Sequence, residues 1–99
     1  MPIKAYVLLK VSSGTEREVC KKIADFSEVQ DASIVYGEYD IIAKVMVDEL
    51  TSLEDFLSEN IRNIRDTRNE PCVMVTSTMI VAREYKGVEK RNSLKAKNT

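Results

Sequence analysis

Residues 29–47, Val29-Gln30-Asp31-Ala32-Ser33-Ile34-Val35-Tyr36-Gly37-Glu38-Tyr39-Asp40-Ile41-Ile42-Ala43-Lys44-Val45-Met46-Val47, contain two strand-like runs joined by a short polar turn. In the first run, residues 29–36, Ala32, Ile34 and Tyr36 share one face; in the second, Ile41, Ala43, Val45 and Val47 point one way and Ile42, Lys44 and Met46 the other. Gly37 supplies the backbone freedom a strand-to-strand turn needs, and without a Cβ it lets N–H groups approach a ligand closely. Asp40, at the mouth of the second run, can meet a cation. One turn thus offers backbone donors and a negative charge, which suits a zwitterion such as a free amino acid. The alternative is a plain hairpin turn with solvated acids beside its glycine.

Working outward, each flank supplies one helix and one strand. On the N-terminal side, Ile3, Ala5, Val7, Leu9 and Val11 line one face of a strand, and Ser12-Ser13-Gly14 breaks it. Thr15 and Glu18 stand at capping-box spacing before a helix over about residues 15–26, striped by Val19, Ile23 and Phe26 and helped by Cys20 and Ala24. On the C-terminal side, Thr51 and Glu54 repeat that spacing, and Leu53, Phe56, Leu57, Ile61 and Ile64 mark the inner stripe of a second helix. A polar loop over residues 65–70 leads through Pro71 to a last strand over residues 72–82. The order predicts an α+β, ferredoxin-like βαββαβ domain: a four-stranded antiparallel sheet with both helices on one face. The uncovered face should then be polar, yet Leu8, Val35, Ile42 and Met46 oppose the main stripes, and both sets of the last strand are apolar, Met74, Ile80 and Ala82 against Val73, Val75, Met79 and Val81. Such a face calls for burial, most economically against a second copy, sheet on sheet.

Ninety-nine residues make one small domain, expected over residues 1–85. Hydrophobic residues at 43% and charged residues at 31% are ordinary for a globular chain. Runs such as Val7-Leu8-Leu9 are far short of a membrane span, and a lysine interrupts the N-terminus before any signal-like stretch develops, so a cytoplasmic location is expected. Histidine is absent, which removes the commonest general base and metal ligand. Cys20 and Cys72 are too far apart for a CxxC site and fit buried small hydrophobes. No enzyme activity, metal or cofactor is expected. Residues 86–99 carry Lys86, Lys90, Arg91, Lys95 and Lys97 against Glu89 alone, a net +4, while residues 1–85 sum to −5. This basic tail is expected to be flexible, dispensable for folding and, at most, weakly attracted to nucleic acid in a salt-sensitive way.

In element order, in Val35-Tyr36-Gly37-Glu38-Tyr39-Asp40 with the strand after it, in the second helix and in Val75-Thr76-Ser77-Thr78-Met79, residues 3–85 resemble the effector-binding (RAM) domain of the leucine-responsive regulator / AsnC transcription-factor family. The resemblance implies a dimer formed through the sheets, commonly built into an octamer or similar ring of dimers, with small effectors, usually amino acids, in clefts between subunits. It implies effector contacts from Gly37, Glu38, Tyr39 and Asp40 in the turn, and from Thr76, Ser77 and Thr78 in the last strand. Strand propensity alone is the other explanation of those threonines. Family regulators carry an N-terminal helix-turn-helix domain, and here the first strand begins at Ile3. The expectation is a stand-alone effector module, without sequence-specific DNA binding or membrane contact of its own, that acts through a full-length DNA-binding partner of the family.

The same element order hosts unrelated functions. An RNA-recognition domain would need stacking aromatics on its central strands, and residues 41–47 contain none. A metal chaperone would want a CxxC where Ser12-Ser13-Gly14 stands. A dimeric α+β barrel enzyme would have to draw its acid/base chemistry from Glu38, Tyr39 and Asp40. A purely structural assembly module would leave the cleft empty.

Overall fold

The computed structural model describes residues 2–88. Their order is β1 (Ile3–Val11), α1 (Glu16–Ala24), β2 (Val29–Ile34), β3 (Ile41–Val47), α2 (Leu50–Phe56), a π-helical turn (Leu57–Ile61) and β4 (Val73–Ile80). The strands form one antiparallel sheet in the order β2-β3-β1-β4, the ferredoxin-like arrangement. Period-two alternation sends Ala5, Val7, Leu9 and Val11 of β1, and Ile41, Ala43, Val45 and Val47 of β3, beneath the helices, where all eight are buried. Val19 and Ile23 of α1, Leu53 and Phe56 of α2, then Ile61, Ile64 and Cys72 close the core. Phe26, just past α1, meets Phe56 edge to face, ring centroids 5.5 Å apart, and so ties the two helical segments together.

Register assigns the opposite face. Cross-strand partners share a face, so Lys4, Tyr6, Leu8 and Lys10 lie with Met46, Lys44 and Ile42 of β3 and with Met79, Ser77 and Val75 of β4. The apolar members form a band through the middle of this face. The lysines are shielded within the chain: Lys4 pairs with Glu84 at 2.9 Å, and the Lys10 ammonium lies 5.8 Å from the centre of the Tyr39 ring. Lys44 stands opposite Asp31. A bulge between Lys10 and Val11 leaves Met74 unpaired on β4, and it is 69% exposed. The helices pack over β2 and β3, so edge strand β4 is bare on both sides, with Val75, Met79 and Ile80 also exposed.

Several local expectations are corrected. The first run ends at Ile34, not Tyr36, because Val35 already closes the turn through its N–H to Asp40 O at 2.8 Å; Tyr36 is wholly exposed, and Val35 lies off the open sheet face. The last strand is Val73–Ile80 rather than 72–82, and the first helix is Glu16–Ala24 rather than 15–26. Neither capping box forms. Thr15 Oγ1 donates instead to Ser12 O at 2.6 Å, bracing a turn in which Gly14 takes φ +88°, and Glu49, not Thr51, precedes α2. Beyond Phe56 the helix widens: Arg62 N–H bonds Leu57 O at 3.0 Å across five residues. Phe56 and Ile61 are both buried, and a five-residue step between core side chains suits a π turn better than an α turn. Of the expected 86–99 tail, residues 89–99 lie outside the described residues.

The loop over residues 65–70 is organised by Asp66. Its carboxylate accepts N–H bonds from Arg68 and Glu70, both at 2.9 Å, and Asn69 turns at φ +63°. The bond from Glu70 and then that from Arg68, with the Arg68 charge, hold the Asp66 carboxyl below the usual carboxylate range. The Lys4 ammonium does the same for Glu84. A carboxyl depressed in the folded state contributes stability above its unfolded pKa and loses it as pH falls toward the folded one. Thermal midpoints should therefore hold steady near neutrality and drop as pH passes through about 4 and below. In Asp66→Asn that acid-side drop should be shallower.

Candidate functional site

The turns β1–α1 and β2–β3 meet at one end of the sheet because β1 and β3 are antiparallel neighbours: where β1 finishes, β3 begins. Asp40 locks this corner. Its N–H bonds Leu9 O at 2.8 Å and continues the ladder by one rung. The next β1 group facing that side, the Val11 N–H, lies beyond the end of β3, and the Asp40 carboxylate accepts it through Oδ2 at 2.9 Å. Gly37, at φ +135°, gives the intervening loop a conformation that side chains disfavour, although no atom would crowd a Cβ there.

Between the two turns opens a cleft of about 410 Å³, lined by Gly14, Glu16, Arg17, Ile34, Val35, Tyr36 and Asp40. Glu16 is anchored across its mouth, accepting the Gly14 N–H at 2.7 Å through Oε1. Arg17 is exposed and forms no ion pair among the described residues. A guanidinium, two held carboxylates and an aliphatic and aromatic wall therefore border one concavity. Its shape and charge suit a small zwitterion.

Of the residues expected in a site, Asp40 alone lines this cleft. Gly37 and Glu38 are exposed on the turn outside it, and Tyr39 is covered by Lys10. Thr76 and Thr78 lie opposite Leu9 and Val7 on the helix side of β4, while Ser77 lies opposite Leu8 on the other. With β1 between β3 and β4, the threonines stand about 9.5 Å, two strand spacings, from the strand that Asp40 opens. One chain thus does not gather the trio and the turn around a single ligand. Gly14, Glu16, Arg17 and Ile34 were missed. The signal for them was topological: a βαββαβ order places the β1–α1 and β2–β3 turns at the same end.

A family model described as the Lrp/AsnC ligand binding domain matches residues 4–89. An uncharacterized HTH-type transcriptional regulator of Pyrococcus furiosus is 32% identical over 75 residues, 76% of this chain and 51% of that protein. This chain spans about half the length of the curated relatives it matches. Among solved structures, FFRP-DM1 is 42% identical with a TM-score of 0.70, covering 80% of this chain and 97% of its own. A hypothetical protein from Pyrococcus horikoshii is 41% identical with a TM-score of 0.72, over 84% of this chain and 93% of that one. At 15% identity and a TM-score of 0.70, a transcriptional regulator of Neisseria meningitidis in complex with L-Met shares the fold, over 86% of this chain and 53% of that one.

Proposed function

The chain belongs to the Lrp/AsnC ligand binding domain family, and on that premise we propose that it is a non-catalytic, amino-acid-sensing module of transcription control. Residues 1–85 form the ligand-binding domain in this reading, and residues 86–99 a basic appendage. The observation that carries it is the cleft at the Asp40 corner, where opposite charges border one small concavity with apolar walls. Complexation of the Neisseria meningitidis regulator with L-Met fits the same ligand class.

The module works as a dimer, or a ring of dimers, through the open sheet faces. Tyr6, Leu8, Ile42 and Met46 are half-buried there, and Val75 and Met79 are exposed. A ring would bring cleft and last strand of different chains together, which allows Thr76, Ser77 or Thr78 to complete a site that Asp40 begins. The output passes to a DNA-binding member of the family that co-assembles with it, in the cytoplasm. Among the described residues no helix is long and apolar enough to cross a membrane.

A thermal-shift screen of the common amino acids tests the sensing role. A ligand at a hundred times its dissociation constant should stabilise the fold by about 2.7 kcal/mol, raising the midpoint by several degrees. If no amino acid moves the midpoint, the module is an assembly element with an empty cleft.

A further inference from the structure

Resting on the assignment of this cleft as the effector site, we propose that the effector is an amino acid with an aliphatic side chain, its carboxylate held by Arg17 and its side chain laid in the groove between α1 and β2. A second, shallow groove of about 240 Å³ runs along α1 and the edge strand β2, lined by Arg17, Cys20, Lys21, Ala24, Ala32 and Ile34. Arg17 and Ile34 also line the Asp40 cleft, so the two concavities are continuous. The head of a ligand and its side chain have separate, adjoining places.

The head of the site recognises both ends of a zwitterion. Arg17 offers a planar fork that matches a carboxylate, and its exposed side chain has no ion-pair partner among the described residues. Asp40 spends Oδ2 on the Val11 N–H and keeps Oδ1 for an ammonium. Glu16, fixed by Gly14, adds a second negative charge beside it. A dicarboxylate would meet those two acids, and a simple cation would meet Arg17.

The groove selects by what it lacks. Cys20, Ala24, Ala32 and Ile34 present small apolar surfaces, so an amide or hydroxyl placed there would be desolvated without a partner. Lys21 and Arg17 repel a cationic side chain. Burial raises the Cys20 thiol pKa, consistent with a low-polarity floor. The alanines leave the space that a leucine or methionine side chain fills.

Calorimetry on the intact chain with leucine, methionine, alanine, asparagine, glutamate, lysine and leucinamide tests this. Leucine or methionine should bind best. Arg17→Gln should weaken leucine at least tenfold yet leave leucinamide, which lacks the carboxylate, unchanged; Arg17→Lys should recover part of the loss. Ala24→Leu, at an exposed helical position, should exclude leucine while retaining alanine, with an unchanged melting curve as the check on folding. Leucine should also slow maleimide labelling of Cys20, since Cys72 is buried. Equal leucine affinity in wild type and Arg17→Gln overturns the pairing and leaves the effector site standing. Preference for asparagine, glutamate or lysine overturns the aliphatic class. Failure of the wild type to bind any amino acid overturns the effector assignment itself, and this inference with it.

Discussion

Leu8→Glu should turn the dimer into a folded monomer. Leu8 lies mid-strand on the open sheet face, opposite Ile42 on one side and Ser77 on the other. In an isolated chain the new carboxylate reaches water, so the fold tolerates it. In a sheet-on-sheet dimer the two-fold axis brings two such carboxylates into a low-dielectric contact with no cation arranged to meet them. An unpaired buried charge costs about 3–5 kcal/mol, which weakens association by roughly two to four orders of magnitude. Sedimentation velocity across a micromolar concentration series, with circular dichroism alongside, reads both quantities. A variant of unchanged assembly mass would show that the copies meet elsewhere, and Val75, Met79 and Ile80 of the bare edge strand would be the next surface to probe.

Asp40→Ala should be costly twice, and Asp40→Asn only once. The Asp40 carboxylate accepts the Val11 N–H at 2.9 Å in a partly buried corner, a charge-assisted bond whose loss costs about 1.5–3 kcal/mol of stability. For a domain of this size each kcal/mol corresponds to roughly 4–8 °C in the midpoint. Had the residue been a solvated turn acid, the loss would be under about 0.5 kcal/mol. Asparagine keeps an oxygen for the Val11 N–H but no charge for a ligand ammonium. Asp40→Asn should therefore melt near the wild type while binding an amino acid at least tenfold more weakly. Parallel melts and titrations of both variants separate the two duties. Wild-type affinity in Asp40→Asn would leave Asp40 a purely structural clamp.

Element order was legible because each element rests on short-range information. Alternation along Ile3–Val11 and Ile41–Val47 predicts strands with one buried face, and those buried positions are found in the core. The helical stripes predict α1 and α2 and place both over the same face. Boundaries were less legible. The capping-box spacings at Thr15 and Thr51 match a pattern that competing bonds override: Thr15 serves the Ser12 turn, and Glu49 precedes α2. The π turn after Phe56 depends on which of Phe56, Leu57 and Ile61 the sheet accepts, and helical periodicity alone carries no such information.

The candidate site divides along the same line. Chemistry confined to a few consecutive residues is written in the local sequence: a glycine at positive φ, an aspartate at the mouth of a strand, a chain without histidine. Chemistry shared between distant residues is settled by strand register. Pairing of β1 with β3 aims the Asp40 carboxylate at the Val11 N–H, 29 positions away, and sets Arg17 and Ile34 on a common cleft. Pairing of β1 with β4 parts Thr76 and Thr78 from Ser77, since a period of two sends neighbours to opposite faces. Residue types and local spacing thus establish the elements and the kind of ligand they suit. Only the packed sheet selects which side chains can meet it, because a one-residue change of register would exchange every facing group.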